Sequence, residues 1–203
     1  MTRLPTEKQC LDYFKKYNVP NNIFEHCLNV RNVSLFIGGR LKENGVNINL
    51  DLVNCLALLH DLFKVVSLSE LKPSKFHHYE YSEDEIEMWK QLRKKYLGMY
   101  EGEVAFEIFK DEFPEMALGL KRLSDPHIED KTWEEFVVHY ADWRVFKNKI
   151  VSIKERLDYA REVYPREKGA WEADEKIIRD FEGNILENVN INPYKLAEEM
   201  EIE

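Results

Sequence analysis

The feature that most constrains the fold is a stretch that is apolar nearly all round a helix, yet contains an adjacent histidine and aspartate. Residues 51 to 64 read DLVNCLALLHDLFK, with Asn49 or Asp51 placed to cap the start. A helix that is apolar on every side belongs in the centre of a bundle. Burying His60 and Asp61 without partners would be costly. The stretch therefore predicts a buried helix and a compensating polar group close to it.

Spacings of three and four between apolar residues predict helices over most of the remaining chain. The predicted ranges are 23 to 42, 84 to 97, 103 to 112, 115 to 123, one from 133 that runs past 150, 153 to 163, 171 to 188, and a short last helix after 193. Asn22 and Thr132 are the expected N-caps of the first and the fifth of these, and Gly45 lies just past the end of the first. Strand-like alternation is nearly absent and no linker interrupts the pattern. The predicted fold class is all-α, in one continuous helical bundle.

Composition limits the function classes. Apolar residues make up 44% and charged residues 33% of the 203 residues, which excludes a disordered chain. No run of 18 apolar residues exists, so no membrane-spanning helix is expected. The net charge of −9 argues against binding to duplex nucleic acid. The start, MTRLPTEKQCLDYF, lacks the apolar segment of a signal peptide, and Cys10, Cys27 and Cys55 form no C-x-x-C pair. We expect a cytoplasmic protein with reduced, buried thiols.

Polar residues at positions where the helical pattern demands apolar ones are the main functional signal. His26 lies on the same stripe as Val30, and Asp142 follows Val138 by four residues. Each alone has a plain interpretation, because a core histidine is usually hydrogen-bonded and a helical aspartate usually caps or pairs with arginine. Together with His60-Asp61, however, they bring two imidazoles and two carboxylates from three helices. These ligand types suit Mn, Fe, Co, Ni or Zn.

The order His26, then His60-Asp61, then Asp142 on helices resembles the HD-domain superfamily of metal-dependent phosphohydrolases. The local texts FEHCLNVRNV, LALLHDLFK and HYADWRV are similar to the motifs of that family, and the resemblance covers roughly residues 20 to 160. It implies an HD-type domain, which we place at residues 1 to 165, with a C-terminal helical extension at 166 to 203 packed on it.

The resemblance also implies one divalent metal ion, held by His26, His60, Asp61 and Asp142. Mg remains an alternative to the transition metals. Family members with two metals carry an H-D-x-G-K text and further histidines, whereas this chain has Phe63 in place of the glycine and Glu101 where such a histidine begins a similar segment. A second metal would have to use Glu101 or His127. His139, one helical turn before Asp142, is either a supporting partner or a structural histidine.

By the same resemblance the expected activity is hydrolysis of a small phosphate ester by a metal-activated water. Asp61 and Lys64 are the expected catalytic residues, with Asp61 orienting the water. Lys64, Arg144 and His77 are the expected contacts to the substrate, His77 and His78 lying in a long loop (65 to 82) that could cover the site. A nucleotide is the preferred substrate class, and the resemblance leaves phosphomonoesterase and phosphodiesterase activity open.

Three other functions remain open at the level of sequence. An HD-type metal site can serve a ligand sensor or regulatory protein without turnover. A di-iron oxidative centre would need further ligands, which we do not expect in this chain. A helical interaction module would place the four polar residues together by coincidence. A homodimer is compatible with the sequence, and no membrane partner is expected.

Overall fold

The computed structural model describes residues 3–68, 70–71, 81–125, 128, 130–164, 166–167 and 169–201. Within them the α-helices are α1 (Glu7–Lys16), α2 (Asn21–Glu43), α3 (Leu50–Leu59), α4 (Glu83–Lys95), α5 (Glu101–Phe109), α6 (Pro114–Leu123), α7 (Trp133–Arg144), α8 (Ile153–Val163), α9 (Ala170–Asn188) and α10 (Leu196–Glu201). One 3-10 turn, Lys64–Val66, follows α3, and two strands of two residues each, β1 (Val145–Phe146) and β2 (Lys149–Ile150), form a hairpin. The all-α prediction is confirmed.

Reciprocal caps fix the starts of several helices. In each, a Ser or Thr side chain accepts a hydrogen bond from the backbone N–H three residues later. The Glu or Gln at that later position accepts a hydrogen bond from the backbone N–H of the capping residue. The pairs are Thr6–Gln9, Ser82–Glu85, Thr132–Glu135 and Ser152–Glu155. Helix α1 is absent from the sequence prediction, although Thr6–Gln9 and the buried Cys10 and Phe14 mark it. Helix α2 begins at Asn21 after Pro20, one residue before the expected cap.

The predicted helix over residues 51 to 64 is shorter in the structure. Asn49 caps α3 by accepting from the backbone N–H groups of Asp51 and Leu52, at 3.1 and 3.3 Å. The α-helix ends at Leu59, and the chain tightens into turns in which Leu62 N–H bonds to Leu59 O and Lys64 N–H bonds to Asp61 O. His60 and Asp61 therefore lie at the end of the buried helix rather than inside it.

The predicted continuation of the helix from Trp133 past Ile150 is wrong. Helix α7 ends at Arg144, and β1 and β2 pair Val145 with Ile150 across a two-residue turn in which Lys147 has φ +57°. Val145 and Phe146 are β-branched and aromatic, and such residues favour extended backbone. The hairpin reverses the chain and sends α8 back past the end of α7.

Helices α2, α3 and α7 pack against one another and form the centre of the bundle. Residues of α9 and α10, among them Ile178, Phe181 and Leu196, belong to the same hydrophobic core. Helix α5 lies very close to α6 at Gly102, where an added Cβ would lie 2.5 Å from a backbone oxygen of α6. Only glycine allows the two helices to lie this close, and this contact places the first turn of α5, including Glu101, beside the end of α3.

The three cysteines are buried and unpaired, as expected. His77, His78 and His127 lie outside the described residues, so the structure places none of the roles predicted for them. Among the described helices, none is long and apolar enough to cross a membrane.

Candidate metal centre and adjoining cleft

His60, at the end of α3, offers a free ring nitrogen in the interior. Its Nδ1 lies 2.8 Å from the carbonyl oxygen of Ala57, which can only accept, so Nδ1 carries the hydrogen. This bond fixes the ring, as it does in many metal-binding histidines. The opposite nitrogen, Nε2, is buried and has no hydrogen-bond partner among the described residues. Such an atom is costly unless a ligand satisfies it.

His26 and Asp142 face that nitrogen from the two neighbouring helices. His26 Nε2 of α2 lies 2.9 Å from Asp142 Oδ1 of α7, and His60 Nε2 lies 3.8 Å from the same oxygen. The rings of His26 and His60 meet edge to face, with centroids 5.4 Å apart. The sequence expectation that these three residues come together from three helices agrees with this geometry.

The spacing of these atoms fits one divalent ion. The ligand atoms of His26, His60 and Asp142 all lie within 4.8 Å of one another. A metal–ligand distance of about 2.1 Å places neighbouring octahedral ligands about 3.0 Å apart and opposite ligands about 4.2 Å apart. Two imidazoles and a carboxylate also suit a transition metal chemically. We regard the group as a candidate metal centre.

Asp61 lies between this group and Lys64. One carboxylate oxygen, Oδ2, is 3.9 Å from His60 Nε2, and the other, Oδ1, is 3.3 Å from Lys64 Nζ. Lys64 also donates to Glu101 Oε1 at 2.8 Å, and Ser67 donates to the other oxygen of Glu101. Asp61 is thus placed to be a fourth ligand or to orient a water beside the ion, and Glu101 holds the Lys64 ammonium next to it.

Mutual charge stabilisation dominates the titration of the centre. Burial works against the charged form of His60, but the Cys27 sulfur and the carboxylates of Asp61 and Asp142 outweigh it and raise the pKa to about 9. Burial likewise opposes ionisation of Asp142, yet His26 and His60 hold its pKa well below the usual range. The pKa of His26 is raised, since its contact with Asp142 outweighs burial. The pocket therefore favours positive charge among its carboxylates.

The structure does not bring Arg144 into this group. Its side chain is 3% exposed, and its guanidinium donates to Val151 O at 2.7 Å, to Pro193 O at 2.5 Å and to the Tyr140 hydroxyl. Residues two apart on a helix point about 200° apart, so Arg144 faces away from Asp142. Its guanidinium connects α7 to the segment before α10 and is not placed to bind a phosphate at the metal centre.

A cavity of about 400 Å³ opens beside the centre, and Lys64 and Asp142 are among the residues that border it. This volume is in the usual range for small-molecule sites. His139 borders it and stays neutral, because burial lowers its pKa to about 4. Arg156 of α8 also borders it and helps to hold the pKa of Asp142 down, which places the guanidinium near the centre.

Arg156 is a site residue that the sequence interpretation missed. It lies three residues after the buried Ile153 and four before the buried Ala160, so it is a charge at the edge of an apolar stripe. The same signal identified His26 and Asp142. Its guanidinium carbon lies 5.4 Å from the centroid of the Phe146 ring, and the residue borders the cavity.

Comparison with known proteins agrees with this geometry. The family model described as HD domain matches residues 23–143, which contain His26, His60, Asp61, Lys64 and Asp142. No curated protein and no solved structure matches the chain. Since the match covers more than half of the residues, the chain belongs to the HD-domain family, whose members are mostly metal-dependent phosphohydrolases.

Proposed function

We propose that this protein hydrolyses a small phosphate ester, with a nucleoside phosphate as the preferred class, at one divalent metal ion. The observation that carries the proposal is the buried, unpartnered Nε2 of His60, which faces the imidazole of His26 and the carboxylate of Asp142. Family membership supports a phosphohydrolase. When bound, the ion would lower the pKa of a coordinated water and offset the charge that develops on the phosphoryl group.

The chain's own residues supply the remaining chemistry. Hydrolysis adds water to phosphorus, breaks the bond between phosphorus and the ester oxygen, and returns a proton to the leaving oxygen. Asp61 is ionised, because the charges of Lys64 and His60 outweigh burial and lower its pKa. Its carboxylate can accept a hydrogen bond from the attacking water and hold it in line. Lys64 and Arg156, which both border the cavity, can bind the phosphate oxygens.

The test combines elemental analysis of the purified protein with a phosphate-release screen across nucleotides and other esters, with Mn, Co, Ni or Mg added. We expect about one metal per chain and release from a subset of esters. Asp61→Ala should lose turnover and metal while remaining helical by circular dichroism. Asp12→Asn, a substitution on the exposed face of α1, is the matched control and should behave as the wild type.

Two results would contradict the proposal in different ways. Full metal content and activity in Asp61→Ala would remove the site assignment. One bound metal without release from any ester in the wild type would instead favour a ligand sensor that uses the same centre. The native metal, the cytoplasmic location and the oligomeric state stay predictions.

A further inference from the structure

The cavity beside the metal centre has two walls of different origin. Lys64, His139 and Asp142 border it from within the residues that the HD-domain family model matches. The facing wall comes from α8, α9 and the segment between them, all beyond residue 143. It contributes Arg156, Tyr164, Arg166, Trp171, Asp174 and Ile178. More than half of the residues that line the cavity thus come from a part of this chain that lies outside the matched domain.

Trp171 is the largest flat surface on that second wall, and its neighbours fix its orientation. The indole Nε1 donates to the Tyr164 carbonyl oxygen at 3.2 Å. The Arg166 guanidinium carbon lies 4.8 Å from the centroid of the Trp171 ring, and Arg166 is itself ion-paired with Asp174. A guanidinium held over an indole in this way forms a preorganised stack. Both members of the stack border the cavity.

The residues that border the cavity therefore suit different parts of a ligand. Lys64, Asp142 and Arg156 lie at or next to the metal centre, where a divalent ion together with the Arg156 cation would suit a phosphate. Trp171, Ile177 and Ile178 border the same cavity and offer aromatic and aliphatic surface. A planar ring buried there would stack on Trp171 or Arg166 and cover the aliphatic side chains. A small polar ester would leave that surface facing water.

We propose that the α8–α9 wall selects the organic group of the ester, by adding a planar aromatic ring to the stack that Trp171 and Arg166 form. Trp171 is a specificity-determining residue, and the chain prefers esters that join a phosphate to a flat ring over esters of the same phosphate without one. This inference rests on the proposed function for the binding of the phosphate group, but it concerns binding and can be tested without turnover.

The probes are adenosine 5′-monophosphate and ribose 5-phosphate, which share a phosphate and a ribose and differ in the ring. Their dissociation constants are measured by titration calorimetry with the metal-free protein and with the Mn-loaded protein in the cold. We expect the wild type to bind the adenosine ester at least tenfold more tightly. Trp171→Ala should raise the dissociation constant of the adenosine ester about tenfold, the usual effect of removing one aromatic stacking partner. It should change ribose 5-phosphate binding less than twofold.

Two further variants separate stacking from folding. Trp171→Phe keeps a flat ring and should retain most of the preference. Trp133 packs on Phe136 and is not among the residues that border the cavity, so Trp133→Phe should leave the dissociation constants of both probes unchanged. Equal binding of the two probes by the wild type, equal weakening of both by Trp171→Ala, or no binding of either probe in both metal states would overturn the inference. If the preference is found but no ester is hydrolysed, the proposed function fails while the inference stands.

Discussion

Metal binding by this centre should be strongly coupled to pH. In the metal-free protein His60 has a pKa of about 9, so at neutral pH its ring carries a proton that a metal ion must displace. An unperturbed histidine, with a pKa of about 6.5, would already be deprotonated there. From the two pKa values, raising the pH from 7.5 to 8.5 should strengthen binding about eightfold for His60 but only about 1.1-fold for an unperturbed histidine.

The assay is calorimetric titration of Mn²⁺ into metal-free protein at these two pH values, in buffers with different ionisation enthalpies. The buffer dependence gives the number of protons released, and we expect about one per ion at pH 7.5. His26 has a raised pKa too, so its proton can only add to this number. His139→Gln is the matched control, because His139 borders the same cavity but is neutral over this range, with a pKa of about 4. An affinity that does not change between pH 7.5 and 8.5, with no proton release, would refute the reasoning.

Three more predictions address stability and substrate binding. Because the His60 pKa is raised from 6.5 to about 9, protonated His60 stabilises the metal-free protein fully below pH 6.5, and this contribution is lost as the pH rises through 9. Chemical denaturation should show that the free energy of unfolding falls by about 3 kcal/mol over this range. Gly102→Ala should destabilise the protein by about 1–3 kcal/mol, since its Cβ would lie 1.9 Å from one oxygen and 2.5 Å from another at the end of α6. Gly39→Ala, in a helix with nothing within 4 Å of the new Cβ, should instead stabilise it by about 1 kcal/mol, and thermal melting compares the two. Arg156→Gln should raise KM about tenfold at unchanged metal content, since a hydrogen bond to a charged group is worth about 1.5–3 kcal/mol, whereas the outward-facing Arg161→Gln should leave KM unchanged in steady-state kinetics.

The convergence of the metal-centre residues could be predicted from the sequence, because a charge on an apolar stripe has few ways to be satisfied. His26 and Asp142 carry that signal within their own helices, and the structure places them 2.9 Å apart. The turn after Leu59 could not be predicted in this way. Its i→i+3 bonds let His60 and Asp61 converge, whereas consecutive residues of a regular helix diverge by about 100°.

The second wall of the cavity could not be predicted, because it depends on contacts between distant segments. The hairpin at Val145–Ile150 reverses the chain, and only that reversal brings Arg156 towards Asp142. Trp171 reaches the cavity because α9 packs on α7 and α8. Arg144, by contrast, could have been placed correctly from helix geometry alone, since a residue two positions after Asp142 lies on the other side of the helix.

The charges of the centre link the pH dependence of metal binding to the binding of a phosphate ester. The largely buried group contains three carboxylates, those of Asp61, Asp142 and Glu101, and one ammonium, that of Lys64, which together carry two net negative charges. Without a metal the protons on the two histidines balance them, and both histidines have raised pKa values. A divalent ion replaces those two protons charge for charge and leaves the imidazoles neutral, as ligands must be. The net charge of the group is thus the same in both states, and the cation of Arg156 borders the cavity in both. When bound, the ion would in addition offer open coordination positions to a phosphate oxygen. A phosphate ester should therefore bind more tightly after the metal than before it, and a phosphate affinity that is the same with and without Mn²⁺ would contradict this account of the site.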